Sequence, residues 1–208
     1  RTQSASRRVR ADLAALAQAS AQRTVCDRHP DYVSRLGLGT DALAIGHHRA
    51  HALAALAEHG ASLRPPFVAL TWDGSGHGED DTAWGGECLY IEPDGGVRRL
   101  GSLVTFELIG ADAAVRDPRR IVHALRRAAG LPVAADTEHA VWTRMLDQRV
   151  NVPATSSVGR LFDGVATLID LHAGGYAPPS FEGQCALRLE ALARGADGEV
   201  APYAMGSG

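Results

Sequence analysis

Two histidines four residues apart, His47 and His51, lie in the run Gly46-His47-His48-Arg49-Ala50-His51. On a helix that spacing puts both imidazoles on one face, where they can hold one divalent metal. His48 falls on another face, behind the ligands or in solvent. Asp73 is the candidate third ligand. It follows the apolar run 67–72 and opens the stretch Gly74-Ser75-Gly76-His77-Gly78-Glu79-Asp80-Asp81. Two imidazoles and one carboxylate leave coordination positions free for phosphate or water. Read as a glycine-rich turn over 73–81, the stretch offers the backbone N–H groups of Gly74, Ser75, Gly76 and Gly78 to a phosphate. Its own acids would repel a bare phosphate, so the pattern points to a metal–phosphate site. The competing reading is a polar hairpin loop that binds nothing.

The elements that must position these residues are legible from their periodicity. Leu43–Ile45 reads as the end of a buried strand and residues 47–59 as a helix, closed at His59 by Gly60. Strands are expected at 67–72, 83–91 and 97–108, with the turn Pro93-Asp94-Gly95-Gly96 between the last two, giving an antiparallel meander. Upstream, residues 7–21 form an amphipathic helix with Val9, Leu13, Leu16 and Ala17 as its stripe. A short strand at 24–26 leads into the polar turn Asp27-Arg28-His29-Pro30-Asp31-Tyr32. Asp31 is expected to cap a helix over 31–36, ahead of a break at 36–39. Downstream, 110–117 reads as a loop. Helices follow at 118–129, 136–148, 158–172 and 182–193. Thr155-Ser156-Ser157 supplies cap chemistry for the third of these, and its exposed N–H groups can bind an anion. That helix has Leu161, Phe162, Val165, Leu168 and Ile169 as its stripe. Asp163 beside the stripe could accept hydrogen bonds from a ribose diol, or could simply be solvated.

The totals bound the function. The 208 residues suit one domain or two small lobes, here an α/β fold. A net charge of −3 with no basic run gives no footprint for nucleic acid. The chain contains no Lys, which excludes Schiff-base chemistry and a Walker-type phosphate-binding Lys within it. Cys26, Cys88 and Cys185 are widely spaced and form no CxxC pair, as expected for a protein of the reducing cytoplasm. No apolar stretch is long enough to span a membrane. Arg1 is not a native start, and Met205-Gly206-Ser207-Gly208 reads as a frayed or engineered end.

Several phrases occur in the order found in the [NiFe]-hydrogenase maturation carbamoyltransferases, the HypF family. They are Val25-Cys26-Asp27-Arg28-His29-Pro30-Asp31-Tyr32, His47-His48-Arg49-Ala50-His51 and Trp72-Asp73-Gly74-Ser75-Gly76-His77-Gly78-Glu79-Asp80 with Trp84-Gly85-Gly86-Glu87. Then follow Thr155-Ser156-Ser157, Gly159-Arg160-Leu161-Phe162-Asp163 and Phe181-Glu182-Gly183-Gln184. The resemblance covers nearly the whole chain. It implies that residues 1–208 are an incomplete C-terminal domain, similar to the catalytic subunit that transfers threonylcarbamoyl groups onto tRNA. The implied fold is part of the two-lobed actin/Hsp70/sugar-kinase (ASKHA) superfamily.

The resemblance also implies a reaction. Carbamoyl phosphate and ATP give carbamoyl adenylate, and this domain passes the carbamoyl group to the C-terminal Cys thiol of a hydrogenase-maturation partner, for cyanide ligand synthesis. Carried over by motif, His47, His51 and Asp73 would be ligands of a divalent metal, with Zn or Fe suited to the donors and Mg open when phosphate is present. Gly74, Ser75, Gly76 and Gly78 would cradle phosphate, and Asp163, Glu182 and Gly183 would hold ribose. The acylphosphatase, zinc-finger and adenylate-forming domains are missing, as is a later glycine-rich segment with a further Asp ligand, so the chain alone is expected to be inactive. Two readings compete. One is a small-molecule O-carbamoyltransferase of the same superfamily, distinguished by its hydroxyl acceptor. The other is a non-catalytic binding module with a degenerate site.

Overall fold

The computed structural model describes residues 2–32, 35, 38–39, 41–60 and 64–196. The expected helix over 31–36 lies in part outside the described residues, as do Gly37 of the expected break and the 205–208 end. The chain begins with helix α1 (Thr2–Ala17), five residues earlier than the apolar spacing suggested. Its stripe residues Val9, Leu13 and Leu16 stay on the surface. Strands β1 (Val25–Asp27) and β2 (Leu43–Ile45) pair in parallel, with Asp27 opposite Ile45. Gly46 then leads into α2 (His47–His59). The helix ends where expected: Gly60, at φ +63°, turns its N–H back onto the Ala57 carbonyl.

The meander is present, but its first strand is longer than the apolar run. β3 spans Phe67–His77, so Asp73 lies inside a strand and not at its end, and the expected turn over 73–81 shrinks to residues 78–82. β4 (Ala83–Ile91) pairs antiparallel with it. The register jumps between Trp72↔Gly86 and Gly76↔Trp84, so Asp73, Gly74 and Ser75 bulge opposite Gly85 alone. β5 (Val97–Ser102) pairs antiparallel with the second half of β4. The single strand expected over 97–108 is broken: Phe106–Glu107 forms a separate strand, β6. The expected loop 110–117 contains a short helix, α3 (Asp112–Arg116), followed by α4 (Arg119–Ala128) and α5 (Thr137–Gln148). β7 (Ala154–Thr155) pairs in parallel with β4 at Ala83 and antiparallel with β6. It feeds α6 (Val158–His172), and α7 (Gln184–Arg194) closes the described chain.

Three apolar clusters hold these layers. α2 packs on the meander through Ala52, Trp84, Leu89 and Ile91, with Phe67 and Ala69 from the inward side of β3. The outward side of β3, Val68, Leu70 and Trp72, is exposed. Phe106, Leu108, Ala114 and Ile121 join β6 to α3 and α4, and Ile109, Ala124 and Trp142 join α4 to α5. In α5, Trp142 is buried, whereas Val141, which its apolar spacing would also bury, is exposed. α6 departs further from its expected stripe. Phe162, Leu168 and Ile169 are exposed, and the buried face is Val158, Arg160, Asp163, Gly164, Ala166 and Thr167. Small residues are selected there because a Cβ on Gly164 would lie 2.8 Å from Ile121 Cγ2 of α4.

Glu87 is the polar strut of the sheet. Its buried carboxylate accepts from Arg99 Nε at 2.6 Å, from the Gly85 and Gly86 N–H groups, and from the Ser156 hydroxyl. It thereby joins β4, β5 and the entry to α6. Gly76 is the close contact between β3 and α2: a Cβ there would lie 2.5 Å from His47 Cδ2 and 2.6 Å from His48 Cε1. Gly76→Ala is therefore expected to push both imidazoles aside and to destabilise the domain by about 1–3 kcal/mol. Denaturant unfolding followed by tryptophan fluorescence checks this, and an unchanged midpoint would refute the packing role.

Candidate metal centre

The site forms where the start of α2 meets the β3 bulge. His47 is the first residue of the helix and His51 sits one turn on. Their Nε2 atoms are 3.2 Å apart. Asp73 Oδ2 lies 2.9 Å from His47 Nε2 and 3.8 Å from His51 Nε2. The structure thus brings the three sequence-identified ligands together. The bulge is what aims Asp73 at the helix, and the residue that caps α6 supports it: the Ser157 hydroxyl shares its one proton between Asp73 O at 2.8 Å and Gly74 O at 2.7 Å. The same Ser157 oxygen caps α6 by accepting from Arg160 N–H at 3.1 Å.

The donor set fits a cation. Asp73 Oδ2 is buried and no N–H is aligned on it. His47 Nδ1 lies 2.7 Å from Asp27 Oδ2, while its Nε2 faces the centre. Two imidazole nitrogens and a carboxylate oxygen converging in this way repel one another unless a proton or cation sits among them. The separations, 2.9 to 3.8 Å, bracket the roughly 3.3–3.5 Å between ligand atoms that bonds of about 2.0–2.1 Å to one tetrahedral metal produce. His51 is half-exposed, which leaves one side of the centre open to solvent.

His48 lies behind the candidate ligands, the first of the two places expected for it. It is buried, with both ring nitrogens unpaired, its ring 5.7 Å from that of Trp84 and its Nε2 3.9 Å from Asp73 Oδ2. Burial, reinforced by neighbouring His47, lowers its pKa to about 4, so it is a neutral wall of the site at neutral pH.

The remaining candidates divide. Gly74 lies beside Arg160 and Glu182: a Cβ on it would be 3.3 Å from Arg160 Nη2 and 3.9 Å from Glu182 Oε1. Ser75 is exposed in the bulge. Gly76 and Gly78 are explained by packing, against the two imidazoles and against Trp84. Asp163, a turn into α6, is buried, with Oδ2 3.1 Å from Arg160 Nη1. Burial raises the Asp163 pKa, opposed by Arg160 and aided by Glu182. Glu182 is exposed, with Oε1 3.7 Å from Arg160 Nη2. Gly183 caps α7 at φ +82°, a conformation that favours glycine. Arg160 therefore links Gly74, Asp163 and Glu182. Sequence reasoning gave it no role, although it lies inside a quoted motif. It missed Asp27 and Glu87 for the same reason: spacing alone does not show what a lone charge meets across the fold.

Comparison with known proteins places the chain in one family. A family model described as carbamoyltransferase, Kae1-like domain, second subdomain, matches residues 69–207, and a HypF Kae1-like domain model matches residues 1–58. The chain is 38% identical to carbamoyltransferase HypF of Synechocystis sp. over 87% of its length, which is 26% of that protein. It is 39% identical to carbamoyltransferase HypF2 of Cupriavidus necator over 80% of its length, or 21% of that protein. A crystal structure of full-length HypF in a phosphate- and nucleotide-bound form superposes with a TM-score of 0.73 at 27% identity, covering 84% of this chain and 28% of that one. The chain thus spans about a quarter of the length of these relatives. It has an α/β fold consistent with the ASKHA superfamily, and it belongs to the Kae1-like domain family of the HypF carbamoyltransferases.

Proposed function

We propose that this chain is the carbamoyl-transferring domain of a hydrogenase-maturation enzyme acting in the cytoplasm. In this reading the carbamoyl group of carbamoyl adenylate, made from carbamoyl phosphate and ATP, passes to the C-terminal Cys thiol of a partner protein. The observation that carries it is the convergence of His47, His51 and Asp73 next to the Gly74–Arg160–Glu182 cluster. One face suits a divalent cation and the adjoining face suits a nucleotide. A divalent metal held by these three donors, Zn or Fe by donor type and Mg as the phosphate-assisted choice, would supply Lewis-acid polarisation of the phosphate oxygen. The chain's own residues bind and orient. Gly74 and Ser75 give the phosphate close approach to the backbone, while Asp163, Glu182 and Gly183 face the ribose. His48 and Trp84 close the inner wall against water. The thiolate attacks the carbamoyl carbon, the carbon–oxygen bond to the phosphate breaks, AMP leaves and the thiol proton goes to solvent. Cys26, Cys88 and Cys185 take no part, because the acceptor sulfur belongs to the partner.

Three outcomes are expected from full-length protein. His51→Ala should lose most bound metal by elemental analysis without unfolding, since the side chain is half-exposed; full occupancy would remove His51 from the centre. Asp163→Asn should weaken ATP binding roughly tenfold by titration calorimetry, equivalent to about 1.4 kcal/mol, and equal affinity would refute the ribose role. With carbamoyl phosphate and ATP, mass spectrometry of a partner peptide ending in Cys should show one added carbamoyl group on sulfur. Transfer only to small-molecule hydroxyls, or binding without transfer, would overturn the reading.

A further inference from the structure

The proposed reaction leaves the turn Asp27–Tyr32 without a task, yet the structure builds it against the metal centre. The parallel pairing of β1 with β2 sets Asp27 opposite Ile45, two residues before His47. One carboxylate oxygen of Asp27 lies 2.7 Å from His47 Nδ1, and the other accepts the His29 N–H at 2.7 Å. The turn is itself tied down. Arg35 Nη1 donates to Arg28 O at 2.9 Å and to His29 O at 3.2 Å. Arg28 reaches Glu79 in the β3–β4 turn at 3.1 Å. The His29 ring stacks on Tyr32, centroids 4.3 Å apart, and approaches His77 of β3 at 5.1 Å. A carboxylate held at both oxygens by short bonds cannot swing away from the imidazole it faces.

We propose that Asp27 is the positioning residue of the metal centre. It fixes His47 as the Nδ1–H tautomer and presents the Nε2 lone pair to a divalent cation. The inference rests on the metal reading of His47, His51 and Asp73 and adds a residue that is not a ligand. Without a partner on Nδ1, a neutral imidazole can place its proton on Nε2 and close the site to metal. A carboxylate on the far nitrogen draws the proton to Nδ1 and raises the basicity of Nε2. The bland alternative is a histidine–carboxylate pair that only braces the fold.

The test uses Zn²⁺ alone as probe, in competition with a chromogenic chelator, on full-length wild type, His51→Ala, Asp27→Asn and Asp27→Ala. Asp27→Asn keeps the size and one acceptor oxygen, and circular dichroism checks that the fold persists. The expected result is a 10–100-fold loss of Zn²⁺ affinity in Asp27→Asn, and at least as much in Asp27→Ala. Wild-type affinity in a folded Asp27→Asn protein, with His51→Ala impaired, would overturn the role of Asp27 and leave the metal reading standing. Absence of binding in wild type would instead remove the metal reading. The long-range ¹⁵N spectrum of the His47 ring, recorded above the imidazole titration range, decides the tautomer separately. The Nδ1–H form should dominate in wild type and give way to Nε2–H in Asp27→Ala, whereas an unchanged pattern would sink the proposal.

Discussion

The bulge at Asp73–Ser75 is the constraint on which the site depends. An unbroken β3–β4 ladder would continue the inward–outward alternation and keep every β3 carbonyl in register with β4. Three residues facing one instead turn Asp73 towards α2 and leave carbonyls that need new partners. Ser157 provides them with one hydroxyl, which also caps α6. The carboxylate that faces the histidines and the helix that carries Arg160 and Asp163 are therefore held by the same side chain. Glycines make the approach close enough. A Cβ on Gly159 would lie 2.6 Å from Gly74 Cα, and one on Gly85 would lie 2.5 Å from the Asp73 carbonyl and 2.9 Å from Ser157 Cα. In the strand itself, glycine matters less for backbone freedom than for the absence of a side chain.

Electrostatics divides the site into two compartments. Around the histidines, burial pushes the Asp27 pKa up, but hydrogen bonds with His29 and His47 outweigh it and hold it below the ordinary carboxylate value, and burial keeps His48 neutral. Around α6, a buried guanidinium sits between Asp163 and Glu182, and burial lifts the Asp163 carboxyl. Buried ion pairs of this kind contribute little net stability, yet removing one partner is costly, so they hold geometry more than they hold the fold together. Glu87 plays the same part beneath the bulge, where its carboxylate accepts from Arg99, from two backbone N–H groups and from Ser156.

Periodicity located most elements because amphipathic spacing is a local property. The α2 and α6 boundaries, the β4 strand and the antiparallel meander all follow from it, and the i,i+4 spacing of His47 and His51 follows from helix geometry alone. The failures are equally physical. β3 was read as ending at Trp72 because the glycines and polar residues beyond it carry no strand propensity. Pairing with β4 and support from α6 override that preference. The α6 stripe was read from its large apolar residues, but the buried side is the one where small residues let α4 approach.

The sequence by itself determined the element order, the pair of histidines on one helical face, the candidate carboxylate and, through its ordered motifs, the family. Those are properties of neighbours along the chain. Only the tertiary structure decided that Asp73 reaches the histidines from within a bulged strand, that Asp27 stands behind His47, that His48 is buried, and that Arg160 joins Gly74 to Asp163 and Glu182. Apart from the Arg160–Asp163 pair within α6, each of these depends on residues twenty or more positions apart meeting at a few ångströms. Pairing register and close glycine contacts set such meetings, and neither leaves a periodic trace in the chain.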